Sequence, residues 1–283
     1  MSAPRPLGHA DGVFRAIHDA RLGIGIDFRA LSPSRIAPPL LARAREVWAH
    51  RVHTELRSAH IMTRFLGEVL AAGDPLEVYA GAADAILDEI RHSAMCVSVL
   101  EALGGAATLP PDEPENPAFL ELGPAERALG TAVSMLAVSE TLSVALLEDL
   151  RARATHVVIR AVLDATLADE DQHREFGWTY VKASLDRFDD RGREFAQATV
   201  EVTLEPHVGQ IAPVFARMPL GRRTLDAWPE PELAALGLLS LEREALVLAR
   251  AIDGPLTERL ASVGLSRPGL APGPSPSPQL SRR

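Results

Sequence analysis

Between Pro38 and Val69 the chain places apolar side chains at Leu41, Trp48, Val52, Ala59, Met62, Leu66 and Val69, with charged and polar residues between them. The recurrence is close to 3.5 residues, which predicts one long amphipathic helix and not a strand. "GDP" at 73–75 stops that helix and starts the next. A second helix is expected from about Pro75 to Leu103, ended by Gly104 and Gly105. The stretch "AATLPPDEPENP" that follows is too rich in proline to be helical. A third helix is expected from Pro124 to about Ala154, and a fourth capped by Thr155 and ending near Phe188. Two long pairs, each joined by a tight turn and separated by one longer crossing connection, suit an all-α four-helix bundle over residues 38–190.

Outside that segment the pattern weakens. Residues 1–37 form an N-terminal extension with breakers such as "LSPSR" and at most a short helix near Val13 to Arg21. After "DDRGREF" more helix is expected, one across 191–217 and one or two across 231–263, split by "MPLGRR" and "WPEPE". These accessory helices of residues 191–265 should pack on the bundle. The tail 266–283, "SRPGLAPGPSPSPQLSRR", has little to bury and is expected to be disordered.

Composition narrows the picture. Of 283 residues 47% are hydrophobic but only 5% aromatic, the balance of helical packing more than of a β-sandwich. A net charge of −9 argues against nucleic acid or an anionic membrane as the main partner. Cys96 is the only cysteine, so an internal disulfide and a Cys-x-x-Cys metal site are both excluded. "MSAPRPLGHADG" has no apolar signal region, and no run of 18 apolar residues occurs, so a cytoplasmic location is expected.

The chemistry lies in a repeat. "DEIRH" (Asp88 to His92) and "DEDQH" (Asp169 to His173) both read Asp-Glu-x-x-His, and both fall in otherwise apolar helices. Each is preceded by a helix whose apolar stripe is broken by one acid, Glu55 in the first half and Glu140 in the second. The lone acids stand 34 and 30 positions before Glu89 and Glu170. In an antiparallel hairpin that spacing returns the chain to the same height. Ser58 and Ser143 repeat too, each three residues beyond its acid. Residues at i and i+3 point to one side of a helix, so four carboxylates and two imidazoles should converge at mid-bundle. Unpaired, each buried carboxylate costs several kcal/mol or is neutralised by a proton. Two divalent cations remove that cost, and carboxylate with imidazole favours iron or manganese.

Residues 39–188 resemble the ferritin-like di-iron carboxylate superfamily of ferritins, rubrerythrins and di-iron oxygenases. Its ligand pattern of Glu, Glu-x-x-His, Glu, Glu-x-x-His falls on Glu55, Glu89, His92, Glu140, Glu170 and His173. The resemblance implies two iron ions, with manganese or a mixed pair as alternatives. It implies O2 activation toward an unidentified small molecule, an external electron donor and a homodimer as compatible partners, and the four glutamates as the catalytic set. It also implies that Asp88 orients His173 and Asp169 orients His92. Ferroxidase or other iron handling, peroxide reduction and a non-catalytic metal bundle are the alternative readings. Cys96, one turn past His92, should face the same pocket, as a small buried hydrophobe more than a reactive thiol. It occupies the place of the radical tyrosine in the small subunit of ribonucleotide reductase. A cysteine there is similar to the hydroxylase of soluble methane monooxygenase, whose pocket threonine would fall on Val144. Glu46 is the competing acid on the first helix, but its distance from the turn does not fit. His50, His53, His60 and His207 are expected on the surface or in the core, Trp48, Trp178 and Tyr180 in packing, and Glu201 and Glu205 in solvent.

Overall fold

The computed structural model describes residues 5–9, 12, 13, 16, 25–110, 117–217 and 228–267. Among the described residues the fold is all-α apart from one short strand pair. Four long helices come first: α1 (Pro38–Ala72), α2 (Leu76–Ala102), α3 (Pro124–Arg153) and α4 (Val157–Leu185). α1 packs on α2, α2 on α4, α4 on α3, and the first turns of α3 return to α1, which closes a ring of four. The expected turn at 73–75 is tight because Gly73 adopts φ 74°, a left-handed conformation that costs glycine little. Its N–H and that of Asp74 donate to the carbonyls of Leu70 and Val69. Asp74 is buried and accepts from Tyr180 Oη (2.8 Å) and Arg187 Nη1 (2.5 Å), tying the turn to the end of α4.

Several boundaries depart from the sequence reading. The N-cap of α4 is His156, not Thr155, with the ring Nδ1 accepting from Val158 N–H at 3.3 Å, and α4 ends at Leu185. The proline-rich crossing is not wholly irregular: β2 (Ala107–Thr108) pairs antiparallel with β1 (Pro6–Leu7) of the N-terminal extension. The short helix expected near Val13 to Arg21 lies largely outside the described residues, as does the tail from 268. Ser266, assigned to that tail, exchanges hydrogen bonds with Gln197.

α3 is one continuous helix whose residues Ala132–Ser139 are wound as a π-helix. Ser139 Oγ donates to Ser134 O, five residues back, at 2.8 Å. Opposite this widened segment is Gly177 of α4. A Cβ there would lie 2.3 Å from Leu136 O, so only glycine lets the two helices approach so closely. Among the described residues α3 alone is long and apolar enough to cross a membrane, yet 67% of its most apolar 18-residue window is buried within the molecule. It is a core helix.

α5 (Asp190–Arg217) covers the π segment of α3. α6 (Glu230–Ala235) and α7 (Leu241–Ala251) pack on the second half of α3, and the chain continues from α7 through Ile252–Leu256 into Thr257–Ser262. The connection between α6 and α7 is pinned to α1 by three side chains. Trp48 Nε1 donates to Leu236 O, Arg51 Nη2 to Gly237 O and Arg43 Nη2 to Leu239 O.

The apolar core is two clusters. One gathers Met62, Phe65, Leu129, Leu136, Trp178 and Val181, and the other Trp48, Val52, Met95, Leu100, Ile159 and Leu163. Along α1, α2 and α4 the switch from one to the other falls at Glu55, at Glu89 and His92, and at Glu170 and His173. An ionisable layer divides the core at mid-height.

Candidate metal centre

Each of the four helices contributes to that layer. Glu89, His92, Glu140, Glu170 and His173 are buried, and Glu55 is the most open, its side chain 18% exposed. Glu46, the competing acid on α1, points to solvent, as do His50 and His60. His53 is half-buried and bonds Thr108 O at 2.9 Å, away from the layer. Glu201 and Glu205 are exposed, and Trp48, Trp178 and Tyr180 are packed in the core.

The two imidazoles turn Nδ1 inward. His92 Nδ1 lies 3.4 Å from Glu170 Oε1, 3.7 Å from Glu55 Oε2 and 3.8 Å from Glu89 Oε2. His173 Nδ1 lies 3.3 Å from Glu170 Oε2 and 3.6 Å from Glu89 Oε1. Glu89 and Glu170 thus each turn one oxygen toward each histidine. Two groups result, Glu55–Glu89–His92–Glu170 and Glu89–Glu140–Glu170–His173, and in each the donor atoms lie within 4.8 Å of one another. Donors about 2.1 Å from one ion stand about 3.0–3.4 Å apart in octahedral or tetrahedral geometry, so the cluster is spaced for cations. His92 Nδ1, His173 Nδ1, Glu89 Oε2 and Glu170 Oε2 are buried without a hydrogen-bond partner. Buried polar atoms are nearly always satisfied, and these four belong to the two groups just described.

Behind the histidines, Nε2 of His92 donates to Asp169 Oδ2 (3.0 Å) and Nε2 of His173 to Asp88 Oδ2 (3.1 Å). Each aspartate thus serves the histidine of the other helix. Arg91 joins the pairs: its Nη2 donates to Asp88 Oδ1 at 2.7 Å and, in a short contact, to Asp169 Oδ2. The sequence reading passed over Arg91. Its signal was a cation inside "DEIRH", but that it reaches across to α4 depends on the packing.

Charge is crowded in the layer. Burial, with the charges of Glu55 and Glu170 beside it, pushes the Glu89 carboxyl up to about 8. Burial and the same neighbours raise Glu140 well above the carboxylate range. For Glu170 burial is outweighed by the His173 and His92 imidazoles beside it, and its carboxyl is held low. Burial disfavours charged imidazoles, but the surrounding carboxylates prevail, lifting His173 to about 9 and His92 well above its usual value. Both histidines and the Glu89 and Glu140 carboxyls thus favour their protonated forms.

Cys96 is buried one turn beyond His92, and burial, then the charge of Glu55, pushes its thiol up, so it stays neutral. Val144 and Ser58 are also buried. A further buried acid on α1, Glu68, escaped the sequence reading. It accepts from Thr131 Oγ1 (3.0 Å) and lies 3.3 Å from Arg64 Nε, which leaves it outside the cluster. Trp178 Nε1 donates to Thr141 Oγ1 at 3.0 Å, fastening α4 to the helix that carries Glu140.

Comparison with known protein families, with characterised proteins and with solved structures returns no match.

Proposed function

We propose that this chain is a ferritin-like di-metal carboxylate protein that binds two iron ions and oxidises a small molecule with O2. The observation that carries the reading is the division of labour in the layer. Glu55 and His92 would help hold one metal ion and Glu140 and His173 the other, with Glu89 and Glu170 common to both groups. Four carboxylates balance two divalent cations, and the set contains no thiolate, which favours iron or manganese over softer metals. Bound there, a pair of iron ions would supply redox equivalents and open coordination positions for O2.

The protein's own groups do the rest. Asp169 and Asp88 hold the imidazoles with Nδ1 inward and raise their basicity. Arg91 bonds both aspartates and, with His92, holds the Asp169 carboxyl below the usual carboxylate range. Apolar clusters on either side of the layer bury most of the carboxylates, which favours a cation among them. Glu55, the most exposed of the six, marks the side from which ions and small molecules enter.

Metal analysis of the purified protein beside Glu89→Ala and Glu170→Ala tests the site, and O2 uptake after anaerobic Fe(II) loading tests the activity. Close to two metal ions per chain, most of them lost in both variants, are expected. A chain that binds metal but consumes no O2 would leave the centre standing and remove the oxidase reading.

A further inference from the structure

Beside the centre stands a cation that the metal ligands do not use. Trp48, Arg51, Val52 and Glu55 recur at i, i+3, i+4 and i+7 on α1, so Arg51 shares the helix face that carries a ligand. Trp48 and Val52 are buried, and Arg51 comes one turn, about 6 Å of rise, before Glu55, the most open of the six. The guanidinium lies over the Trp48 ring, 4.5 Å from its centroid, and Nη2 donates to Gly237 O at 2.7 Å. Nη1 is shielded from solvent and has no hydrogen-bond partner. Glu55 and Glu244 are near enough for their charges to act on Arg51, yet burial prevails and pulls its pKa below the usual arginine value. Among the described residues no carboxylate pairs with it. A buried charge without a counter-charge is costly, and packing alone would be served by methionine or leucine. The ring and the carbonyl hold the group still without neutralising it.

We infer that Arg51 binds the carboxylate of the small molecule brought to the centre, so that the substrate is an organic acid with an apolar body. What becomes of that acid rests on the di-metal reading; that Arg51 binds it does not. A carboxylate brings one negative charge and accepts charge-assisted bonds from a guanidinium. A dianion such as phosphate fits less well, because Glu55 and Glu244 already act on the same cation. The surroundings suit hydrocarbon: Gly237, beside the guanidinium, is seated so closely between Trp48 and Ile159 that a Cβ there would lie 3.0 Å from each. The charge of Arg51 also reaches Cys96, one turn beyond His92, so guanidinium and centre share this side of the bundle.

The test is calorimetric titration of the full chain, as purified, with hexanoate, its neutral analogue hexanamide and hexyl phosphate, beside Arg51→Met and Arg51→Lys. Wild type is expected to bind hexanoate about tenfold or more tightly than hexanamide, and Arg51→Met to lose that preference. Arg51→Lys keeps the charge and should keep part of the preference, which leaves the test open if the methionine variant does not fold. Equal affinity of wild type for hexanoate and hexanamide, or a preference that survives in Arg51→Met, would overturn the inference. Tighter binding of hexyl phosphate than of hexanoate would overturn the choice of anion. Metal content is measured on the same samples, and Arg51→Met should keep the metal that wild type holds, since Arg51 is outside the ligand set. Acid binding without metal would remove the di-metal reading alone, and metal without a preference for the acid would remove the role of Arg51 alone.

Discussion

His92 and His173 can present Nδ1 to the carboxylates only because Asp169 and Asp88 occupy the other ring nitrogen, and Arg91 braces both aspartates from one guanidinium. Removing such a brace typically costs 10–100-fold in metal affinity. Arg91→Ala is therefore expected to weaken metal binding by about that factor with little change in fold, measured by titration against a competing chelator; unchanged affinity would make Arg91 a surface ion pair. Protonation gives a second prediction. In the metal-free protein His173 is raised to about 9 and Glu89 to about 8, so both still hold protons at neutral pH. Groups raised on folding stabilise most below their unfolded values, near 6.5 and 4.5, and lose that contribution as pH climbs through the folded ones. The apo melting temperature should therefore fall between about pH 4.5 and 9, first through Glu89 and then through His173 as well. Metal must displace the same protons, so affinity should rise over that interval and protons should be released on loading. Calorimetry in buffers of different ionisation enthalpy measures the release.

At the scale of elements, the π segment of α3 and Gly177 of α4 act as one joint, with the glycine Cα against the Leu136 carbonyl. Gly177→Ala forces a methyl into that carbonyl and is expected to cost about 1–3 kcal/mol in denaturant unfolding. It should also reduce metal retention, because Glu140 and His173 ride on the separated helices. Gly209→Ala on α5, with open space around the added methyl, should be neutral or slightly stabilising. Equal effects at both positions would mean that the contact at Gly177 is not what matters. These elements also show what the chain spelled out in advance. Helical periodicity over α1 to α4 and the doubled Asp-Glu-x-x-His were legible because both depend on residue spacing along a single helix. The π segment was not, because "AVSMLAVS" reads like any apolar helix; its widening comes from how α3 meets its neighbours. The reach of Arg91 to Asp169 and the burial of Glu68 against Thr131 were hidden for the same reason, each depending on the distance between helices.

For the whole molecule, the ionisable layer makes stability conditional on its occupants. A ligand that binds the folded chain at 100 times its dissociation constant adds about 2.7 kcal/mol. Chelation is therefore expected to lower the melting temperature measurably and readdition of Fe(II) or Mn(II) to restore it. A melting curve indifferent to metal would sink the centre itself. The divided core carries this further. Above and below the acids and imidazoles lie two dry compartments, each with its own tryptophan. All four helices run unbroken from one compartment through the layer into the other, so the two halves of the core are tied together by backbone as well as by packing.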